Sequence, residues 1–140
     1  MKFRQNVDLD FLKEMGKNTM VEHLGIEFTR IGEDFLEATM PVDHRTKQPM
    51  GLLHGGANVV LAETLGSVAS SLMIDQATHY CVGLEINANH LKAVTGGTVR
   101  GITKAIHVGR KTQVWEIKIY SEQEELSCIS RITMAVLEKK

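Results

Sequence analysis

The segment that most limits the fold is Gly55–Ile74, GGANVVLAETLGSVASSLMI. It reads as one long helix opening on two glycines. A helix this apolar cannot lie half-exposed on a surface, so the rest of the chain must wrap it. Asn58, Glu63, Thr64 and three serines make it too polar to span a membrane. The chain beyond it has strand character throughout. Segments near 79–91, 97–108, 111–120 and 126–137 succeed one another with no helix between them. In QVWEIKIY, Trp115, Ile117 and Ile119 alternate with Val114, Glu116, Lys118 and Tyr120, a period of two. Upstream, DLDFLKEMG at 8–16 predicts a short helix with Asp8 as its N-cap. Gly25–Ile31 and Asp34–Met40 predict two strands joined at Gly32-Glu33. Residues 41–54 hold both prolines and predict a loop. Strands in unbroken succession form an antiparallel sheet. The expected architecture is α+β, a long antiparallel sheet curled round one central helix.

Nothing divides the 140 residues into parts: there is no repeat, linker or low-complexity tract, so one domain over 1–140 is expected. Sixteen basic residues against seventeen acidic ones leave a net charge of −1, which argues against nucleic acid as a partner. Cys81 and Cys128 form no CxxC pair, so neither a disulfide framework nor a zinc site is expected, and a reducing compartment fits. The first fifteen residues, MKFRQNVDLDFLKEM, lack the apolar run of a signal peptide. A cytoplasmic protein without membrane attachment is the expectation. The six histidines form no HExxH and no cluster with ligand spacing, so no metal is implied. There is no G-x-S-x-G elbow, no G-x-G-x-x-G and no phosphate-binding loop of the Walker type.

The chemistry that remains sits in QPMGLLHGGANVVLAETLGSVASS, from Gln48 to Ser71. Gly55 and Gly56 stand where loop becomes helix. The first N–H groups of a helix have no internal partners and favour negative charge. Such an end can hold a developing oxyanion, with His54 and Gln48 as further donors. Within the helix, Glu63, Ser67, Ser70 and Ser71 fall at i, i+4, i+7 and i+8, on one face beside Gly66. Leu61, Leu65, Val68 and Leu72 form the apolar side. A lone carboxylate in so apolar a helix is expected to be partly desolvated, with its pKa raised. A carboxylate together with oxyanion donors suits attack on a polarised carbonyl. Taken singly, each residue also has an ordinary reading: a helix-opening glycine, a loop histidine, a water-facing glutamate.

HGGANVVLAETLGSVAS resembles the active-site segment of the hotdog-fold acyl-CoA thioesterases. Further matches to this family are LEATMPVD, RTKQPMGLLHGGA, VGLEINANH, VRGITKAIHVGR and QVWEI, spread from about Met20 to Leu137. Within the family the chain is most similar to the bacterial branch that acts on 1,4-dihydroxy-2-naphthoyl-CoA in menaquinone biosynthesis and proofreads enterobactin assembly. The resemblance implies a hotdog fold and hydrolysis of an aromatic acyl-CoA, dihydroxynaphthoyl or benzoyl in type. It implies Glu63 as nucleophile or general base, and the Gly55 N–H and His54 as polarisers of the thioester carbonyl. Gln48 would orient thioester or water, and Ser67 would supply a hydroxyl one turn beyond the carboxylate. The chain departs from the family pattern at none of these five positions. Met50, Asn58, Ser70 and Ser71 are positions where relatives vary and acyl choice can be shaped. Sites shared between subunits of a homotetramer, a dimer of dimers, are also implied.

Coenzyme A is here part of the substrate, and no separate cofactor is expected. Its phosphates call for positive charge. Lys92, Arg100, Lys104, Arg110 and Lys111 supply it, with His90 and His107 nearby. By resemblance, Gly83, the stretch His90, Leu91, Lys92, Ala93 and the stretch His107, Val108, Gly109, Arg110, Lys111, Thr112 contact the nucleotide and pantetheine. Three other readings stay open. One is a hotdog protein that binds acyl-CoA without cleaving it. The second is a thioesterase for acyl carrier protein. The third is a hydratase, although His54 and Glu63 lie about 13 Å apart along one helix and make a poor acid–base pair within a chain.

Overall fold

The computed structural model describes all of residues 1–140. In chain order the elements are α1 (Leu9–Met15), α2 (Met20–His23), β1 (Glu27–Ile31), β2 (Phe35–Pro41), α3 (Gly55–Leu72), β3 (His79–His90), β4 (Thr98–Val108), β5 (Thr112–Tyr120) and β6 (Leu126–Glu138). The six strands form one antiparallel sheet in the order β1-β2-β4-β5-β6-β3. This is the hotdog arrangement expected from the sequence, with boundaries shifted by one or two residues. The chain after α3 crosses to the far edge of the sheet, so β3 pairs with β6 and not with β4.

The short elements follow their capping residues. The Asp8 carboxylate accepts from the Phe11 N–H at 2.8 Å and starts α1 as expected. The turn α2 has no counterpart among the expected elements. Four residues carry no apolar period, and its one sequence signal is Thr19, whose hydroxyl accepts from the Val21 N–H at 3.2 Å.

The central helix α3 packs against β2, β3, β4, β5 and β6. Leu61, Ala62, Leu65 and Ala69 are fully buried, as are Trp115, Ile117 and Ile119 on the inward face of β5. Contact is close enough to require bare backbone. A Cβ on Gly101 would stand 2.7 Å from Leu65 Cδ1, and one on Gly66 would stand 2.5 Å from Ile132 Cγ2. The N-terminal segment closes one end. Phe3 stacks on Trp115 with ring centroids 6.2 Å apart. The N–H groups of Arg4 and Gln5 donate to Leu72 O, satisfying a carbonyl at the end of α3. No helix is long and apolar enough to cross a membrane.

Two stability predictions arise from this packing. Trp115→Ala removes the largest buried side chain and should cost about 3–5 kcal/mol in denaturant unfolding. A loss below about 1 kcal/mol would contradict its place at the centre of the core. The second concerns the outer face of the sheet. Glu37 on β2 is only 7% exposed. It accepts from Thr29 Oγ1 at 2.8 Å and pairs with Arg30 at 3.1 Å and Arg100 at 3.2 Å. Burial pushes its carboxyl up, but the Thr29 hydrogen bond and the two guanidinium charges outweigh burial and hold it below the usual range. A carboxyl depressed by folding stabilises above its unfolded value, and the stabilisation is lost as pH falls through the folded one. Between pH 7 and pH 3, Glu37→Gln should therefore lose less stability than the wild type. Parallel losses would show that the ion pairs contribute nothing.

Candidate active site

The loop before α3 is held by Thr46, which is buried. Its hydroxyl donates to Pro41 O at 2.7 Å and accepts from the Asp43 N–H at 3.1 Å, and its carbonyl accepts from the His54 N–H at 2.8 Å. Leu53 N–H donates to Val94 O at 2.8 Å. These bonds fix where the helix begins. Between them, Gln48–Gly51 forms a turn in which Gly51 has φ +83°, a left-handed conformation suited to glycine. Gln48 Oε1 accepts from the Met50 N–H, which leaves its Nε2 amide to donate outward. Met50 is exposed.

His54 is the N-cap of α3. Its Nδ1 accepts from the Gly56 N–H at 2.8 Å. A neutral ring with Nδ1 accepting carries its proton on Nε2, which is then a donor. The N–H groups of Ala57 and Asn58 turn back to His54 O at 3.0 and 3.3 Å. The Gly55 N–H is left without a partner in the chain. One amide at the positive end of an 18-residue helix, with an imidazole donor beside it, is an oxyanion site in composition.

Glu63 lies two turns further along. Contrary to the sequence expectation, it is exposed. The sheet buries Leu61, Ala62, Leu65 and Gly66, whereas along the stripe that carries Glu63, Gly56 and Glu63 are exposed and Val60 and Ser67 are half-buried. The Glu63 side chain reaches β3: a Cβ on Gly83 would stand 2.8 Å from Glu63 Oε2. The β3–β6 register shifts between Gly83 and Glu85, so the strand bulges beside the carboxylate. Gly83 therefore meets Glu63, not a distant part of the molecule. Ser67 is half-buried one turn on. Ser70 leaves the stripe and is fully buried, because the sheet closes over the last turns of α3 and Gln113 Nε2 donates to Ser70 O at 3.3 Å. Ser71 Oγ turns back to Ser67 O at 3.1 Å.

Within one chain these residues do not converge. Eight helical steps put Gly55 and Glu63 about 12 Å apart. The two stretches matched to coenzyme A are further apart still. His90–Ala93 lies at the start of α3, where a Cβ on Gly55 would stand 2.8 Å from His90 Nε2. His107–Thr112 is the β4–β5 hairpin at the other end, beside Met73 and Ile74. The expected basic cluster is also dispersed. Arg100 is neutralised by Glu37 at 3.2 Å and Glu124 at 2.6 Å, and its guanidinium covers the Tyr120 ring at 5.0 Å. Lys92 pairs with Glu125. Lys104, Arg110 and Lys111 remain exposed. Asn58, one of the positions where relatives vary, is buried, with its Nδ2 3.3 Å from His90 Nδ1. Its position in the first turn of α3 signals a contact with that end of the helix, but not with which strand.

Residues 50–128 match the family model described as the thioesterase superfamily. The chain is 53% identical over 137 residues to the 1,4-dihydroxy-2-naphthoyl-CoA hydrolase of Escherichia coli, covering 98% of this chain and 100% of that one. It is 52% identical over 137 residues to the proofreading thioesterase EntH of Cronobacter turicensis, covering 98% and 99%. Among solved structures, a mutant of thioesterase PA1618 from Pseudomonas aeruginosa superposes with a TM-score of 0.97. It is 50% identical, and the match covers 99% of this chain and 100% of that one.

Proposed function

The chain is a thioester hydrolase of the thioesterase superfamily, and on that premise we propose that its substrate is an aromatic acyl-CoA, cleaved with Glu63 as the acting carboxylate. The observation that carries this reading is the pairing of an unpartnered Gly55 N–H, flanked by the His54 donor, with a carboxylate set against bare Gly83. The names of the Escherichia coli and Cronobacter relatives support the aromatic class. The thioester oxygen sits at the Gly55 N–H with His54 Nε2–H beside it. Glu63 either takes a proton from an attacking water or attacks the carbonyl itself, giving a mixed anhydride that water opens. Both routes need the ionised carboxylate. In both, the C–S bond breaks, a C–O bond forms, and coenzyme A leaves as thiolate and takes up a proton.

On this reading the site is shared between two subunits, which the roughly 12 Å between Gly55 and Glu63 along one helix supports. Strand β3 is an edge strand of 12 residues with Tyr80, Val82 and Leu84 exposed. An unpaired edge of that length is a template for a second copy. Pairing two β3 edges about a two-fold axis sets the His79 end of one strand beside the His90 end of the other. The His107–Thr112 hairpin of one copy then approaches His90–Ala93 of its partner, and the dispersed coenzyme A contacts meet. Two such dimers make the homotetramer.

Thiol release from a panel of thioesters tests the substrate class. The highest kcat/KM is expected on benzoyl-type acyl-CoAs, about tenfold or more above straight chains, since apolar pockets discriminate by about 1–3 kcal/mol per methylene. Preference for straight chains, or for the same acyl group on a carrier protein, would overturn it. Gly83→Ala probes the carboxylate's seat. The new Cβ would stand 2.8 Å from Glu63 Oε2, the movable end of an exposed side chain. The fold should survive, and kcat should fall by up to about 10² as the carboxylate is displaced. Unchanged kcat would separate Gly83 from the chemistry.

A further inference from the structure

Asn58 is 4% exposed, and its Oδ1 has no hydrogen-bond partner in the chain. A buried amide that leaves an acceptor unused is a liability to folding. What this amide does is face one side chain: its Nδ2 lies 3.3 Å from His90 Nδ1. His90 in turn lies against Gly55, close enough that a Cβ there would stand 2.8 Å from Nε2. From these contacts we infer that Asn58 is a positioning residue, which holds the His90 ring over Gly55 with its Nε2–H turned towards the thioester oxygen. An amide N–H donated to Nδ1 requires that nitrogen to be unprotonated, so the neutral ring keeps its proton on Nε2. The carbonyl-polarising end of the site then has three donors, the Gly55 N–H, His54 and His90. This assignment moves His90 from the coenzyme A contacts to the reacting carbonyl, and it rests on the thioesterase reading given above.

Two substitutions test it in the intact protein. Asn58→Leu keeps the volume and removes the donor. Asn58→Asp keeps the shape and sets a carboxylate beside Nδ1, which then carries a proton and donates to it. Thiol release should fall about tenfold or more in kcat for Asn58→Leu, with KM within about threefold, because a donor acting on the developing oxyanion is no longer held in place. In a His90→Ala background, Asn58→Leu should have no further effect on kcat, as expected of a residue acting through His90. Imidazole nitrogen spectra should show His90 protonated at Nε2 in the wild type and at Nδ1 in Asn58→Asp. Wild-type kcat in Asn58→Leu, additive losses with His90→Ala, or a wild-type ring protonated at Nδ1 would each overturn the inference. If Asn58→Leu does not fold, Asn58→Ala carries the same test. Absence of thiol release by the wild type would refute the thioesterase reading, and the nitrogen spectra would still decide whether Asn58 fixes the ring.

Discussion

Glu63→Gln should reduce kcat for thiol release by about 10²–10⁴ while leaving the fold intact. The size of the effect comes from the chemistry that the substitution removes. Glutamine keeps the shape and the hydrogen-bonding reach of the side chain but can neither accept a proton nor form an anhydride. Stability should hardly change, because Glu63 is exposed and carries no ion pair. A melting curve like that of the wild type, together with lost turnover, is the expected pair of results. Retention of more than about a tenth of wild-type kcat would remove Glu63 from the role of base or nucleophile. KM should stay close to the wild-type value, since the carbonyl is held at the other end of the site.

The second large effect is a recovery. His54→Ala removes a donor from the oxyanion end and should cost about 10²–10³ in kcat. Glu63→Gln disables the other half of the site. If Gly55 and Glu63 act in the same reaction, about 12 Å of helix puts them in different subunits. Mixing the two inactive variants after dissociation should then create hybrid dimers with one doubly defective site and one intact site. Random reassortment should restore about a quarter of wild-type activity. A mixture no more active than its parents would show that each subunit works alone, and the edge of β3 would need another role.

The residues that fix the fold are those with local periodicity. The alternation of Trp115, Ile117 and Ile119 marks β5 directly, and the apolar content of α3 requires a wrapping sheet. Strand order is different. The position of β3 beside β6 depends on a register in which His79 meets Glu138 and His90 meets Cys128, contacts across 59 and 38 residues that no local pattern announces. The site was legible as residue types at the start of one helix. Its charge state was less so. Arg100 could not be separated from a free cationic surface, because its partners, Glu37 and Glu124, come from β2 and from the turn before β6. The exposure of Glu63 also escaped a single-chain pattern. An apolar helix predicts burial, but the Glu63 carboxylate emerges beside bare Gly83 and stays exposed. Asn58 could be placed on the helix, yet only the end of β3 reveals its contact with His90.

The central claim is turnover of an acyl-CoA. Its most direct test is the amount of thiol released per subunit by the wild-type protein from excess benzoyl-CoA. Many equivalents per subunit, released at a steady rate, is the predicted result. Tight binding of benzoyl-CoA with no thiol above the uncatalysed background would contradict it, and would make the chain a receptor for acyl-CoA built on an enzyme's fold.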